Sequence, residues 1–132
     1  MRLVILTVGV THSGKTTFAR LLEEQLHNST VIDQDNHADF INEHYKSLRP
    51  MEGLNTLKYA VTRTILDYAI QHTDRYLILC ISYRERTHRQ NMLEHVQHHG
   101  FTRIVVYFDL PESTLRERVA SSGRSTSFFR RA

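Results

Sequence analysis

The segment GVTHSGKT, residues 9–16, sets Gly9, Gly14, Lys15 and Thr16 at the spacing G-x-x-x-x-G-K-[ST]. Each type has a chemical reason to be there. Glycines let the main chain approach a ligand and take conformations closed to other residues. Successive N–H groups then point into one concavity that suits anionic oxygens, and a helix that follows adds its positive end. Lys15 has the reach for β- and γ-phosphates, and the Thr16 hydroxyl is an oxygen ligand of the kind Mg²⁺ prefers. Ser13 and Thr17 flank this core, and His12 lies inside the loop, either against phosphate or substrate or simply in solvent. The chemistry implied is binding of a nucleoside triphosphate, with ATP and Mg²⁺ as the expected cofactors.

That reading requires a strand before the loop and a helix after it, and the chain supplies both. LVILTV is a short β-branched run, read as a buried strand, and Phe18, Leu21, Leu22 and Leu26 fall on one helical face behind the loop. STVID (29–33) reads as a second strand. Residues 36–48 read as a helix that Pro50 breaks. Leu54, Leu57, Val61, Ile65 and Tyr68 outline a long amphipathic helix. RYLILCIS (75–82) is the most apolar strand. Thr87 and Gln90 suit a capping box that opens a helix through about residue 99, and Gly100 is placed to end it. RIVVYFD (103–109) gives a fourth strand, and Pro111 and Glu112 suit the first turn of another helix, which Gly123 closes. Alternating strands and helices imply parallel strands joined by right-handed crossovers, a layered α/β sheet.

The bulk numbers agree. A chain of 132 residues, 40% hydrophobic and 23% charged, is expected to fold as one domain and not to be disordered. Its one cysteine, Cys80, makes neither an internal disulfide nor a multi-cysteine zinc site, which fits a reducing, cytoplasmic setting. No apolar run approaches membrane-spanning length. The triplet Asn28-Ser29-Thr30 is better read as a turn than as a glycosylation site. Fourteen arginines against three lysines favour an anionic ligand or mark ordinary surface charge, while a net charge of +3 is too small to argue for nucleic acid. His95, His98 and His99 sit within two turns of one helix, but no supporting ligand is spaced for zinc, so a solvated face is the better reading.

With these motifs in place the chain resembles the small P-loop kinases, the group of shikimate, gluconate and polynucleotide kinases, over nearly its whole length. The resemblance implies a three-layer P-loop fold with a mainly parallel sheet of strand order 2-3-1-4. The family's fifth strand and last helix are missing from the pattern, so the single domain 1–132 reads either as truncated after a lid region at about 120–132 or as having a shortened sheet. Asp33-Gln34-Asp35 occupies the position of that group's D-x-D. By resemblance Asp33 holds the Mg²⁺ water shell and Asp35 orients or deprotonates the acceptor; the plain alternative is that the acids cap the next helix. LRERVASSGR resembles the L-x-x-R…R pattern, which implies that Arg118 stacks on adenine and that Arg124, on a lid, reaches the transferring phosphate, aided by Arg130 and Arg131 or not. The strand LILCIS lacks the acid that often ends it in this group; Ser82 stands nearby, which shifts the metal's weight to Asp33.

Acceptor pockets in the group lie between the D-x-D turn, the helix before the third strand and the loop after it. Here that region offers Arg63 and the run SYRERTHR, from which Arg84 is favoured because it lies nearest the strand's carboxyl end; Tyr83 either stacks on a ring or packs. These arginines suit an anionic small-molecule acceptor, or form an ordinary charged helix start. The expected function is transfer of the γ-phosphate of ATP to a hydroxyl of a small molecule. The alternatives are a nucleotide-dependent ATPase or switch without an acceptor, and a kinase acting on nucleic-acid ends. No N-K-x-D segment of the kind that reads guanine is present.

Overall fold

The computed structural model describes residues 2–9, 14–82, 86–108 and Glu117. Strands β1 (Arg2–Gly9), β2 (Ser29–Asp33), β3 (Tyr76–Ser82) and β4 (Phe101–Tyr107) alternate with helices α1 (Lys15–Gln25), α2 (Gln34–His44), α3 (Thr56–His72) and α4 (Arg86–His98). The strands form one parallel sheet in the order β2-β3-β1-β4, as the alternation and the resemblance imply. Asp33 and Thr7 both lie level with Cys80 on the central strand, and Gly9 lies level with Ser82. The carboxyl ends of β1, β2 and β3 therefore meet at one edge, where open α/β sheets take ligands.

Strand residues alternate between two buried layers, as a period of two requires. Val4, Leu6 and Val8 of β1 join Leu77, Leu79 and Ile81 of β3 beneath Leu66 and Ala69 of α3 and Met92, Leu93 and Val96 of α4. On the opposite face Ile78 and Cys80 pack against Ala19 of α1, with Leu22 and Val31 beside them. Each fully buried aliphatic side chain contributes roughly 1.5–3 kcal/mol to this core. Arg2 fastens the lower end: its guanidinium donates to the carbonyls of Ala69, Ile70 and Arg75 at 3.2, 3.0 and 2.8 Å, and it lies 4.4 Å from the Phe101 ring centre. Ala69 and Ile70 lie in the last turn of α3, whose carbonyls lack intrahelical donors, and Arg75 follows the helix. Asn28, at φ 61, makes the turn into β2.

Four local expectations need correction. Leu21 faces solvent, and Ala19 is the residue α1 lays on the sheet, because a methyl side chain lets helix and sheet approach closely. On α3 the buried stripe is Thr62, Leu66 and Ala69; Ile65 and Tyr68 are exposed, and Leu54 lies outside the helix. The helix read over 36–48 begins at Gln34 and ends at His44, followed by a separate 3-10 turn, Lys46–Leu48. Thr87 lies within α4 and does not cap it; β4 starts at Phe101, directly after Gly100 at φ 87. The helix expected after Pro111 and its closing Gly123 lie outside the described residues.

Candidate functional site

Gly14 has φ 100, a left-handed value that favours glycine, and it leads directly into α1. Gly14 has no side chain with which to cap this helix start and the first turn carries no acid, so neither supplies an acceptor to its first N–H groups. Lys15 follows and is only 4% exposed. Its ammonium donates to the Gly9 carbonyl at 3.0 Å and lies 3.7 Å from Asp35 Oδ2. The Thr16 hydroxyl donates to Asp33 Oδ2 at 3.1 Å. Gly9, Gly14, Lys15, Thr16, Asp33 and Asp35, drawn from β1, α1, β2 and α2, therefore meet in one place. Thr17 is exposed on the first turn of α1.

The acidic turn does two jobs at once. Asp33 caps α2, its Oδ1 accepting from the Asp35 N–H at 3.0 Å, while its other oxygen takes the Thr16 hydroxyl. The helix-capping role and the contact to the phosphate-loop threonine thus coexist in one carboxylate. Burial and the neighbouring Asp35 charge push the Asp33 carboxyl above its usual range, against the Asp35 N–H, the Thr16 hydroxyl and Lys15. Asp35 is half-exposed, facing Lys15 on one side and solvent on the other.

Around this turn lie residues whose roles emerge only from the fold. His37 Nδ1 is 2.6 Å from the Thr62 hydroxyl, joining α2 to α3. Burial lowers the His37 pKa, partly opposed by Asp33. Gln34, 2% exposed, places Nε2 2.8 Å from His88 Nε2, and the His88 ring stacks on Tyr59 with centres 3.9 Å apart. Gln34 Oε1 is buried without a hydrogen-bond partner among the described residues, a condition that costs about 1–3 kcal/mol. Two signals pointed toward this cluster: Gln34 is the middle residue of D-x-D, and His37 is one helical turn beyond Asp33. Its closure by Tyr59 and His88 depends on long-range contacts.

Arg63 turns toward α4. Its Nε donates to Asp67 Oδ1 at 3.2 Å and its Nη2 to His95 Nδ1 at 3.0 Å, while His95 Nε2 donates to the same Asp67 oxygen at 2.6 Å. Arginine has only donors, so His95 Nδ1 must accept. His95 is thereby committed to a brace between α3 and α4, and no group of three or more His, Cys, Asp or Glu among the described residues could hold a metal ion. Cys80 lies under the site with its thiol pushed up to about 11 by burial, against a hydrogen bond from Thr7, so it is a poor nucleophile at neutral pH. His12, Ser13, Arg84, Arg118 and Arg124 lie outside the described residues.

A family model described as "AAA domain" matches residues 4–129. The chain belongs to the AAA domain family. Three solved structures show how its fold is shared. The tunicamycin resistance protein of Deinococcus radiodurans superposes with a TM-score of 0.68 at 18% identity, over 96% of this chain and 73% of that one. The APS kinase CysC of Mycobacterium tuberculosis, bound to AMPPNP and APS, gives 0.62 at 16% identity over 99% and 73%. The Pnkp1/Rnl/Hen1 RNA repair complex contains a chain that gives 0.68 at 18% identity, over 92% of this chain and 37% of that one. No curated protein matches by sequence. This AAA domain is thus a small P-loop kinase-like protein in fold, and no helix among its described residues is long and apolar enough to cross a membrane.

Proposed function

We propose that this AAA domain is an ATP-dependent phosphotransferase that moves the γ-phosphoryl group of ATP to a hydroxyl of a small-molecule acceptor. The observation that carries the reading is the position of Lys15 Nζ, 3.0 Å from the Gly9 carbonyl and 3.7 Å from Asp35 Oδ2. The cation that would hold the polyphosphate stands beside the carboxylate that would orient the acceptor. A pure nucleotide-binding switch has no need of that second group.

The donor set fits Mg²⁺: Thr16 Oγ1 and the Asp33 carboxylate are oxygen ligands 3.1 Å apart. Thr16 would hold the ion and Asp33 would orient its water shell, and an ion held there would supply neutralisation of phosphate charge. Backbone N–H groups after Gly14 and the Lys15 ammonium take the phosphates. Lys15 then exchanges Asp35 for phosphate, and Asp35 is released toward the acceptor. The acceptor oxygen forms its bond to Pγ as the bond from Pγ to the bridging β,γ-oxygen breaks. ADP departs with that oxygen, and the hydroxyl proton passes to Asp35. His12, Ser13 and Thr17 complete the phosphate loop in this reading, Arg118 faces adenine, and Arg124 stabilises the equatorial oxygens. Arg84 remains the acceptor-binding arginine, while Arg63 would first have to leave Asp67 and His95. The setting is cytoplasmic. Because one structural neighbour comes from an RNA repair complex, a nucleic-acid end is the second acceptor class.

The test is an acceptor screen with ATP and Mg²⁺ on the parent, Lys15→Ala and Asp35→Asn. Lys15→Ala should weaken ATP binding roughly 10–100-fold, the size of a lost charged hydrogen bond. Asp35→Asn should bind ATP as tightly as the parent or more so, because Lys15 loses a competitor. Its transfer rate should fall roughly 10²–10⁴-fold. Parental transfer by the Asn variant would remove Asp35 from the mechanism, and unaided ATP hydrolysis that no acceptor accelerates would favour an ATPase.

A further inference from the structure

The middle residue of the acidic turn has a hydrogen-bonding deficit that stability does not explain. Gln34 is almost wholly buried, one pole of its carboxamide reaches His88, and the other has no partner among the described residues. Turning the amide over does not cure this. Oε1 would then accept from a protonated His88 Nε2, and the NH₂ group would become the unpaired pole. A methionine or leucine of similar volume would fill the same space and remove the unpaired oxygen, at the cost of the contact to His88 Nε2 on a part-exposed ring. The fold alone does not call for glutamine here.

The three residues of the turn reach three different neighbours. Asp33 takes Thr16, Asp35 faces Lys15, and Gln34 meets His88 in the first turn of α4. Tyr59 of α3 stacks on the His88 ring and fixes its plane. The Gln34–His88 contact thus joins the start of α2 to α4 and, through Tyr59, to α3, at the edge where the phosphate loop ends. Asp35 is the next residue along, on the first turn of α2, so this contact bears directly on where its carboxylate stands.

We propose that Gln34 and His88 are positioning residues for phosphoryl transfer, their hydrogen bond holding the acidic turn so that Asp35 is aligned with the acceptor once Lys15 has moved to phosphate. This rests on the kinase reading above. The pair touches neither nucleotide nor acceptor and acts through Asp35. Its removal should therefore cost rate without costing nucleotide affinity or fold.

The experiment uses the full chain with Gln34→Met, Gln34→Leu, His88→Phe, which keeps a ring over Tyr59, and the Gln34→Met/His88→Phe double variant. Three quantities are read: melting temperature, MgATP affinity by calorimetry, and transfer of labelled γ-phosphate. The transfer assay uses a panel of neutral polyols, sugar phosphates, nucleosides and 5′-hydroxyl oligonucleotides, with water as the reference acceptor. The two Gln34 variants should melt close to the parental temperature, the lost His88 contact offsetting the removed unpaired oxygen, and bind MgATP within about twofold of it. Their kcat should be lower by roughly 10–100-fold, the scale of a small misplacement of a reacting group, with acceptor KM little changed. The double variant should lose no more than the worse single variant, as two halves of one contact do. Unchanged kcat in Gln34→Met, a fall of melting temperature and kcat together, or additive losses in the double variant would overturn the proposal and leave the kinase reading standing. A parent that binds MgATP but transfers phosphate to no acceptor would end the kinase reading, and this positioning role with it.

Discussion

Asp33 meets two opposed demands with one carboxylate. It is buried where it caps α2 and meets Thr16, and in the proposed function it would have to be charged to orient a metal's water shell. Burial and the adjacent Asp35 raise its pKa above the usual 3.8. The folded protein therefore holds a proton on Asp33 over a pH range in which the unfolded chain has already lost it. Stability from this group is full below the unfolded pKa and is lost as pH rises through the folded one. Above that folded pKa the charge on Asp33 is thus a destabilising feature kept at the site. Asp33→Asn retains an oxygen for the Asp35 N–H and removes the charge. The variant should melt higher than the parent near pH 7, and the gap should close as pH falls below about 4. MgATP affinity should fall in the same variant. Thermal melts of both proteins across that range check it, and a variant that melts lower at neutral pH would contradict the assignment.

At the scale of elements, what was legible in the sequence depended on whether spacing alone fixed the answer. The phosphate loop and the acidic turn were legible because their chemistry needs particular atoms at particular offsets. The strands were legible as apolar runs and their parallel sense from the alternation, while their order was what the resemblance implied. Which stripe of a helix faces the sheet was not. On α3 two apolar stripes overlap, one through Leu57, Val61, Ile65 and Tyr68, the other through Leu66, Ala69 and Ile70, and periodicity gives the period without the phase. The sheet took the stripe containing Ala69 and Thr62. The same principle misled at α1, where Leu21 looked like core and Ala19 is the residue at the contact. Side-chain junctions such as Gln34 with His88 were illegible because 54 positions separate the partners. The α1 case yields a prediction. Ala19 is fully buried against Ile78 and Cys80, so Ala19→Leu overpacks the contact and should cost about 1–3 kcal/mol. It should also weaken ATP binding, because the displaced helix carries Lys15 and Thr16. Leu21→Ala, at an exposed position, should stay within about 0.5 kcal/mol of the parent. Denaturant midpoints of the two variants decide which residue is core; equal losses would place both there.

Across the whole molecule, the nucleotide edge and the α3–α4 brace respond to acid in opposite senses. Burial acts to raise the Asp67 pKa, but the hydrogen bond from His95 and the charge and hydrogen bond of Arg63 outweigh it and hold the carboxyl below the usual 3.8. For a depressed carboxylate the stabilisation is complete above the unfolded pKa and disappears as pH falls through the folded one. Asp67 thus supports the fold at neutral pH and stops doing so in acid, whereas Asp33 burdens the fold at neutral pH and is relieved in acid. Asp67 is part exposed, so solvent screening keeps its share to about 0.5–1 kcal/mol. Asp67→Asn should accordingly be slightly less stable than the parent near pH 7 and should converge with it as pH falls through the depressed folded pKa of Asp67, the reverse of the Asp33→Asn profile. The two carboxylates share no hydrogen-bond partner, one binding Thr16 and the Asp35 N–H, the other Arg63 and His95. The double variant should therefore show the sum of the two profiles at each pH. Urea titrations of the four proteins at neutral and acid pH measure this directly. A double variant that departs from the sum by more than about 0.5 kcal/mol would mean that the brace and the nucleotide edge are energetically coupled through α3, and that acid acts on the molecule as one unit.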